Sequence, residues 1–307
     1  MCPGQGAQKV GMGKDLAERF PEARRTFAEV DAALGIPLSR IMWEGPEEEL
    51  TLTHNAQPAI LAHSAAVLAV VREQLSDAAL ALGHSLGEYS AYVAAGALGA
   101  AEAARLVRRR GELMLEAGAR RPGTMAAVLG LETAAVEAAC REATQPGSVA
   151  VAANLNAPDQ TVISGDPPAV ERAGEGCKAR GAKRVVPLKV SGAFHSPLME
   201  PAVPGLTAAL AAATFKRPRF PVIANATAGA VTEPAEAVRL LASQLIAPVR
   251  WVEGIQEAAR RCPGATFLEV GPGNVLSGLL KRAVPGAKSV TLGTAADVEQ
   301  WLSPAKA

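Results

Sequence analysis

Helical and strand periodicities alternate along nearly the whole chain, and that alternation leaves few architectures open. Apolar residues at three- and four-residue spacing predict helices, and the short apolar runs between them predict strands. The pattern is α/β. Helices are predicted over Gly11–Leu34, over Gln57–Leu75 with Pro58 at an early position, and from Ala101 to Ala117. A short apolar run, Ala78–Leu82, meets Gly83-His84-Ser85-Leu86-Gly87 and a helix through Ala95. Residues 123–190 follow their own order. Strands at Thr124–Leu131, Val149–Leu155, Thr161–Ser164 and Arg184–Val190 enclose helices at Glu132–Thr144 and Pro168–Arg180. This is βαββαβ, a ferredoxin-like pattern. Longer elements return after it: helices at Met199–Ala213, Ala235–Leu245 and Val275–Ala283, with strands at Val222–Ala224 and Thr266–Val270. The expected fold is an α/β-hydrolase-like large domain with a parallel sheet (1–122 and 191–307). A ferredoxin-like small domain (123–190) is inserted in it.

Hydrophobic residues make up 49% of the 307, aromatics only 4% and charged residues 20%. Disorder is excluded, and the core must be built from Ala, Leu and Val. The formal charge is +1, which argues against nucleic acid as the main partner. The four cysteines form no CxxC pair and have no histidine at ligand spacing, so neither a disulfide framework nor a metal site is expected. No basic, apolar leader is visible at Met1. The longest nearly apolar run, Ala59–Val71, falls short of the roughly 20 residues a membrane helix needs. The expected location is cytoplasmic, with no membrane partner.

Gly83-x-Ser85-x-Gly87, between a short strand and a helix, has the form of a nucleophile elbow. The helix start at Leu86 offers backbone N–H groups to an oxyanion. A glycine-rich turn with a capping serine is the plainer reading. A serine nucleophile needs a base, and there are four histidines. His63 has apolar neighbours at helical spacing and belongs in a core. His54 lies in the polar stretch Thr51–Asn55, expected as a surface loop. His84 adjoins the serine and leaves the elbow in another direction. By elimination His195, in the turn Ser191–Ser196, is the favoured base. Arg110 has Leu106, Val107, Leu113 and Met114 one turn away, whereas Arg108 and Arg109 are placed on the solvated face. A guanidinium on a buried stripe requires an anion, either a structural carboxylate or a substrate carboxylate held bidentately. The glycine turns Gly4-x-Gly6 and Gly271-Pro272-Gly273 lack the remaining residues of a nucleotide loop.

With these residues in view, the sequence resembles the malonyl-CoA:acyl-carrier-protein transacylase family of fatty-acid and polyketide synthesis. The likeness rests on Pro3-Gly4-Gln5-Gly6-Ala7-Gln8, Gly83-His84-Ser85-Leu86-Gly87-Glu88, Arg110-Gly111, Gly192-Ala193-Phe194-His195-Ser196, Gln244-Leu245 with Pro248-Val249, and Glu269-Val270-Gly271-Pro272-Gly273. The resemblance implies a ping-pong transfer. Ser85 takes a malonyl group from a coenzyme A thioester and passes it to the phosphopantetheine thiol of an acyl carrier protein. It further implies His195 as base, oriented by a backbone carbonyl near Gln244. Backbone N–H groups of Gln5 and Leu86 form the oxyanion hole, and Arg110 holds the malonyl carboxylate. His84 and Gln57 match positions near the pocket, and Leu86 with Phe194 resembles the malonyl-selective pattern. No cofactor or metal is expected, and the chain is expected to act as a monomer.

One departure stands out: the family carries a hydrophobic strand before the Pro-Gly-Gln-Gly turn, and here only Met1-Cys2 precede Pro3. Either the start lies upstream or the sheet lacks this strand and is weakened. Two other functions share part of the motif set. A serine hydrolase of the α/β type would use Ser85 and His195 with Asp159 or Asp166 as its acid. A catalytically silent module would only dock a carrier protein.

Overall fold

The computed structural model describes residues 1–303 and is α/β with mixed sheets. Its strands are β1 (Ala81–Leu82), β2 (Thr124–Leu129), β3 (Ala150–Ala157), β4 (Gln160–Gly165), β5 (Arg184–Pro187), β6 (Val222–Ile223), β7 (Ala230–Val231), β8 (Thr266–Val270) and β9 (Lys288–Leu292). β1 pairs parallel with β6, β6 antiparallel with β7, and β8 parallel with β9. Met1 and Cys2 join these pieces. Cys2 bridges Gly83 in parallel and donates to the Leu82 carbonyl, while the Met1 carbonyl accepts from Val270 N–H at 2.8 Å. Two residues thus run between β1 and β8, and the sheet is continuous there rather than interrupted.

The middle of the chain forms a separate antiparallel sheet in the order β3-β4-β2-β5. Helices Thr133–Ala143 and Pro167–Ala179 pack on it over their own apolar cluster. In the main body, helix Thr53–Val70 is buried on nearly every side and packs against Ala100–Arg120 and Pro21–Leu34. Its Ala59, Ala62, Ala65 and Ala66 let these helices approach closely, as a core poor in aromatics requires.

Several boundaries differ from the sequence reading. The predicted helix Gly11–Leu34 is two, Lys14–Arg19 and Pro21–Leu34, because Phe20 precedes a proline and is extended. The helix expected from Gln57 starts at Thr53, which moves His54 from a surface loop into a helical first turn. Pro58 therefore lies inside the helix and deprives the His54 carbonyl of its N–H donor. Arg108 Nη1 supplies a substitute at 3.2 Å. Arg108 is accordingly half-buried, not solvated, whereas Arg109 does face solvent. The predicted helix Met199–Ala213 is a 3₁₀ turn, Pro197–Ala202, followed by helix Val203–Ala212. Helices Leu38–Glu44, Glu47–Thr51, Trp251–Arg261 and Ala295–Leu302 and strands β7 and β9 were not anticipated. Strand β8 and helix Val275–Ala283 have the predicted bounds.

Candidate active site

The carboxyl end of β1 turns sharply into helix Gly87–Ala94, and Ser85 at the turn has φ 53°. Few non-glycine residues occupy this region, and the surroundings hold Ser85 there. A Cβ on Gly83 would stand 1.9 Å from the Gly87 carbonyl oxygen, and one on Gly87 2.2 Å from that of Cys2. Both flanking glycines are thus sterically required. Ser85 N–H donates to Asn225 Oδ1 at 2.7 Å, and Asn225 Nδ2 donates to the Gly83 carbonyl at 2.7 Å. Asn225 follows β6, the parallel neighbour of β1, and clamps the elbow from the next strand.

His195 comes from the turn after Val190, also at positive φ, 56°. Its Nδ1–H donates to the Gln244 backbone carbonyl at 2.9 Å, which leaves Nε2 as an acceptor 2.8 Å from Ser85 Oγ. Burial, reinforced by the Arg110 cation, lowers the imidazole to about 3, so it is a neutral base at neutral pH. The acids considered for a hydrolase triad are elsewhere: Asp159 pairs with Arg282 and Asp166 with Arg121. A carbonyl, not a carboxylate, orients this histidine.

Arg110 is 1% exposed on helix Ala100–Arg120. Its Nη1 donates to Gln57 Oε1 at 2.7 Å, and its Nη2 to Gln244 Oε1 at 3.0 Å and Ser85 Oγ at 3.1 Å. Nε is buried without an acceptor. Among the described residues no carboxylate pairs with it, so the structural ion pair considered from the sequence is not formed. Two neutral amides aim the cation at the serine, and no carboxylate among the described residues contacts it directly.

The cavity above Ser85 measures about 280 Å³ and includes Gln5, Leu86, Met114, Phe194 and His195 in its lining. Met125, Asn154 and Leu188 bring the antiparallel unit to its wall. The backbone N–H groups of Leu86 and Gln5 donate to no acceptor among the described residues, as an oxyanion hole requires. The Gln5 side chain bonds Thr53 Oγ1. His84 also lines the cavity, donates from Nε2 to Asn156 Oδ1 at 2.8 Å and lies against Trp251. His63 is a core residue on the Gly293 carbonyl. Ser85, His195, Arg110, Gln57 and Gln244 therefore converge, with Phe194 and His84 on the cavity wall. Sequence reasoning assigned nothing to Asn225 or Glu88. The available signals were the position of Asn225 at a strand end and of Glu88 one helical turn beyond the serine.

Residues 1–299 match the acyl transferase domain family. The malonyl CoA-acyl carrier protein transacylase of Bacillus subtilis is 46% identical over 299 residues, covering 97% of this chain and 94% of the relative. Its Escherichia coli K12 counterpart is 47% identical over 285 residues, covering 92% and 91%. A solved acyl carrier protein S-malonyltransferase from Vibrio cholerae superposes with a TM-score of 0.93 at 43% identity, covering 97% of both chains. A malonyl-transacylase in complex with a type II polyketide-synthase acyl-carrier protein gives 0.92 at 42%, covering 97% and 96%.

Proposed function

This chain belongs to the acyl transferase domain family, and from that premise we propose that it moves malonyl groups from coenzyme A to an acyl carrier protein. Fatty-acid or polyketide synthesis would be the destination. The observation that supports the reading most is the double contact of Ser85 Oγ: a neutral imidazole at 2.8 Å and an unpaired buried guanidinium at 3.1 Å. An acyl group with its own carboxylate satisfies both. Ser85 Oγ attacks the thioester carbonyl carbon while His195 Nε2 takes the hydroxyl proton. The Leu86 and Gln5 N–H groups receive the oxyanion, and Arg110 takes the malonyl carboxylate. Collapse breaks the C–S bond, and the leaving thiolate takes the proton from His195. The carrier's phosphopantetheine thiol reverses these steps and regenerates Ser85.

The same reading takes residues 123–190 as a ferredoxin-like domain over the cavity. Residues 1–122 and 191–303 form the hydrolase-like body, the last four residues of the expected span 191–307 lying outside the described residues, and the strand order β3-β4-β2-β5 supports this division. It includes action as a cytoplasmic monomer without cofactor or metal. The four free cysteines fit a reducing compartment, and among the described residues no helix is long and apolar enough to cross a membrane.

The test is discharge of the isolated malonyl-enzyme. The ester should persist in buffer and pass its malonyl group to a holo-carrier thiol. Hydrolysis as fast as transfer would contradict the reading and favour a hydrolase.

A further inference from the structure

We propose that malonylation of Ser85 is coupled to the uptake of a proton by Glu88, a carboxyl group buried behind the arginine clamp. The inference rests on the malonyl-transfer reading and concerns a residue that the transfer chemistry does not touch. Glu88 lies on helix Gly87–Ala94 and is 0% exposed. Its Oε2 accepts from Gln244 Nε2 at 2.7 Å and from Asn225 N–H at 3.0 Å. The other face of the Gln244 amide, Oε1, accepts from Arg110. One amide thus separates a buried carboxyl group, partly ionised near neutral pH, from a buried guanidinium.

The malonyl carboxylate adds a second buried anion to a single cation. Unbalanced buried charge is costly, and a protein group commonly takes or releases a proton to remove it. The groups facing Glu88 leave one candidate. Tyr89 and Tyr92, on its own helix, are pushed above the ordinary phenol range by burial and stay neutral. His195, lowered to about 3, remains neutral even when the malonyl group offsets part of the Arg110 effect. His84 is lowered by burial as well. Glu88 is raised by burial to about 7, with Asn225 N–H, Gln244 and the Arg110 cation opposing the rise. Once Arg110 pairs with substrate, its part of that opposition is offset and Glu88 rises further. Its Oε1 has no donor, so a proton there displaces no hydrogen bond.

Loading should therefore take up a substantial fraction of a proton per ester near neutral pH, and discharge to the carrier should release it. The measurement is calorimetry of wild-type loading with malonyl-CoA in buffers of equal pH and different ionisation enthalpy. Intact mass counts the ester in the same samples. Glu88→Gln and wild type loaded with acetyl-CoA are the controls, because each releases the same coenzyme A thiol. Uptake with malonyl-CoA, absent from both controls, supports the proposal. Malonyl ester formed with the same proton count as the controls overturns it and leaves the transfer reading intact. A protein that takes no malonyl group overturns both. If Glu88→Gln does not fold, the wild-type infrared difference spectrum decides: loading must produce a C=O band that shifts in heavy water, as a protonated carboxyl does and the serine ester does not, and its absence overturns the proposal.

Discussion

Arg110 has two amide oxygens and a serine hydroxyl as acceptors, and the carboxylate of Glu88 stands one amide away. In the proposed clamp this arrangement keeps Arg110 available to a charged acyl group, because a direct ion pair would spend the cation before substrate arrived. The same burial gives the fold a pH signature. His195 is lowered to about 3 and His63 to about 4, both chiefly by burial, whereas in the unfolded chain each titrates near 6.5. Below about pH 6.5 the unfolded state therefore binds protons that the folded state refuses, and stability falls on acidification. Glu88, raised to about 7, works in the opposite direction between about 4.5 and 7. Two groups outweigh one, so the urea midpoint should be lower at about pH 5 than at about pH 7.5. A midpoint that rises on acidification would contradict this. At this scale Ser85, His195 and Arg110 were legible, because each sits in a turn or on a stripe that its neighbours define. Glu88 and Asn225 were not, since their roles run through hydrogen bonds between elements distant in the chain.

Between elements, the crossing of helices Thr53–Val70 and Ala100–Arg120 sets the position of the clamp. A Cβ on Gly111 would stand 2.6 Å from His54 Cα and 2.9 Å from the Thr53 carbonyl oxygen. Gly111→Ala should force the helices apart at the residue beside Arg110. We expect a loss of about 1–3 kcal/mol in stability, together with slower malonyl loading. Urea unfolding and a loading assay check both, and an unchanged protein would show that the crossing yields freely. The sequence showed that both helices exist and that Arg110 lies on the buried stripe. It did not show where the first helix begins. Pro58 read as an N-terminal signal, and the long-range Arg108 contact that lets a proline sit inside the helix leaves no local trace.

Across the whole molecule, basic side chains at the surface are of two kinds. Arg121 is paired with Asp166, Arg217 with Glu233, and Arg260 and Arg261 with Glu257. Lys183 and Arg184 have no acidic partner among the described residues, and they lead along β5 toward Lys189 at the cavity. Carrier proteins are typically acidic, so Lys183→Glu with Arg184→Glu should slow transfer to the carrier more than loading from malonyl-CoA. Added salt should weaken carrier transfer in the same selective way, because exposed charges are screened over about 8–10 Å. Rates of the two half-reactions measured separately check this, and equal sensitivity would remove these residues from docking. The α/β class was legible from periodicity alone. The place of Met1 and Cys2 between β1 and β8 was not, because two residues carry no periodicity.

The central claim, that Arg110 is a substrate clamp beside a nucleophilic serine, is tested most directly on Arg110→Ala. Wild type and variant are offered malonyl-CoA or acetyl-CoA, and the intact masses and a melting curve of each are recorded. Wild type should carry the malonyl ester, mapped to Ser85. The variant should lose malonyl transfer by about 2–5 kcal/mol, with acetyl transfer reduced less or raised and melting nearly unchanged. An equal loss of both acyl groups with a large drop in melting temperature would contradict the account.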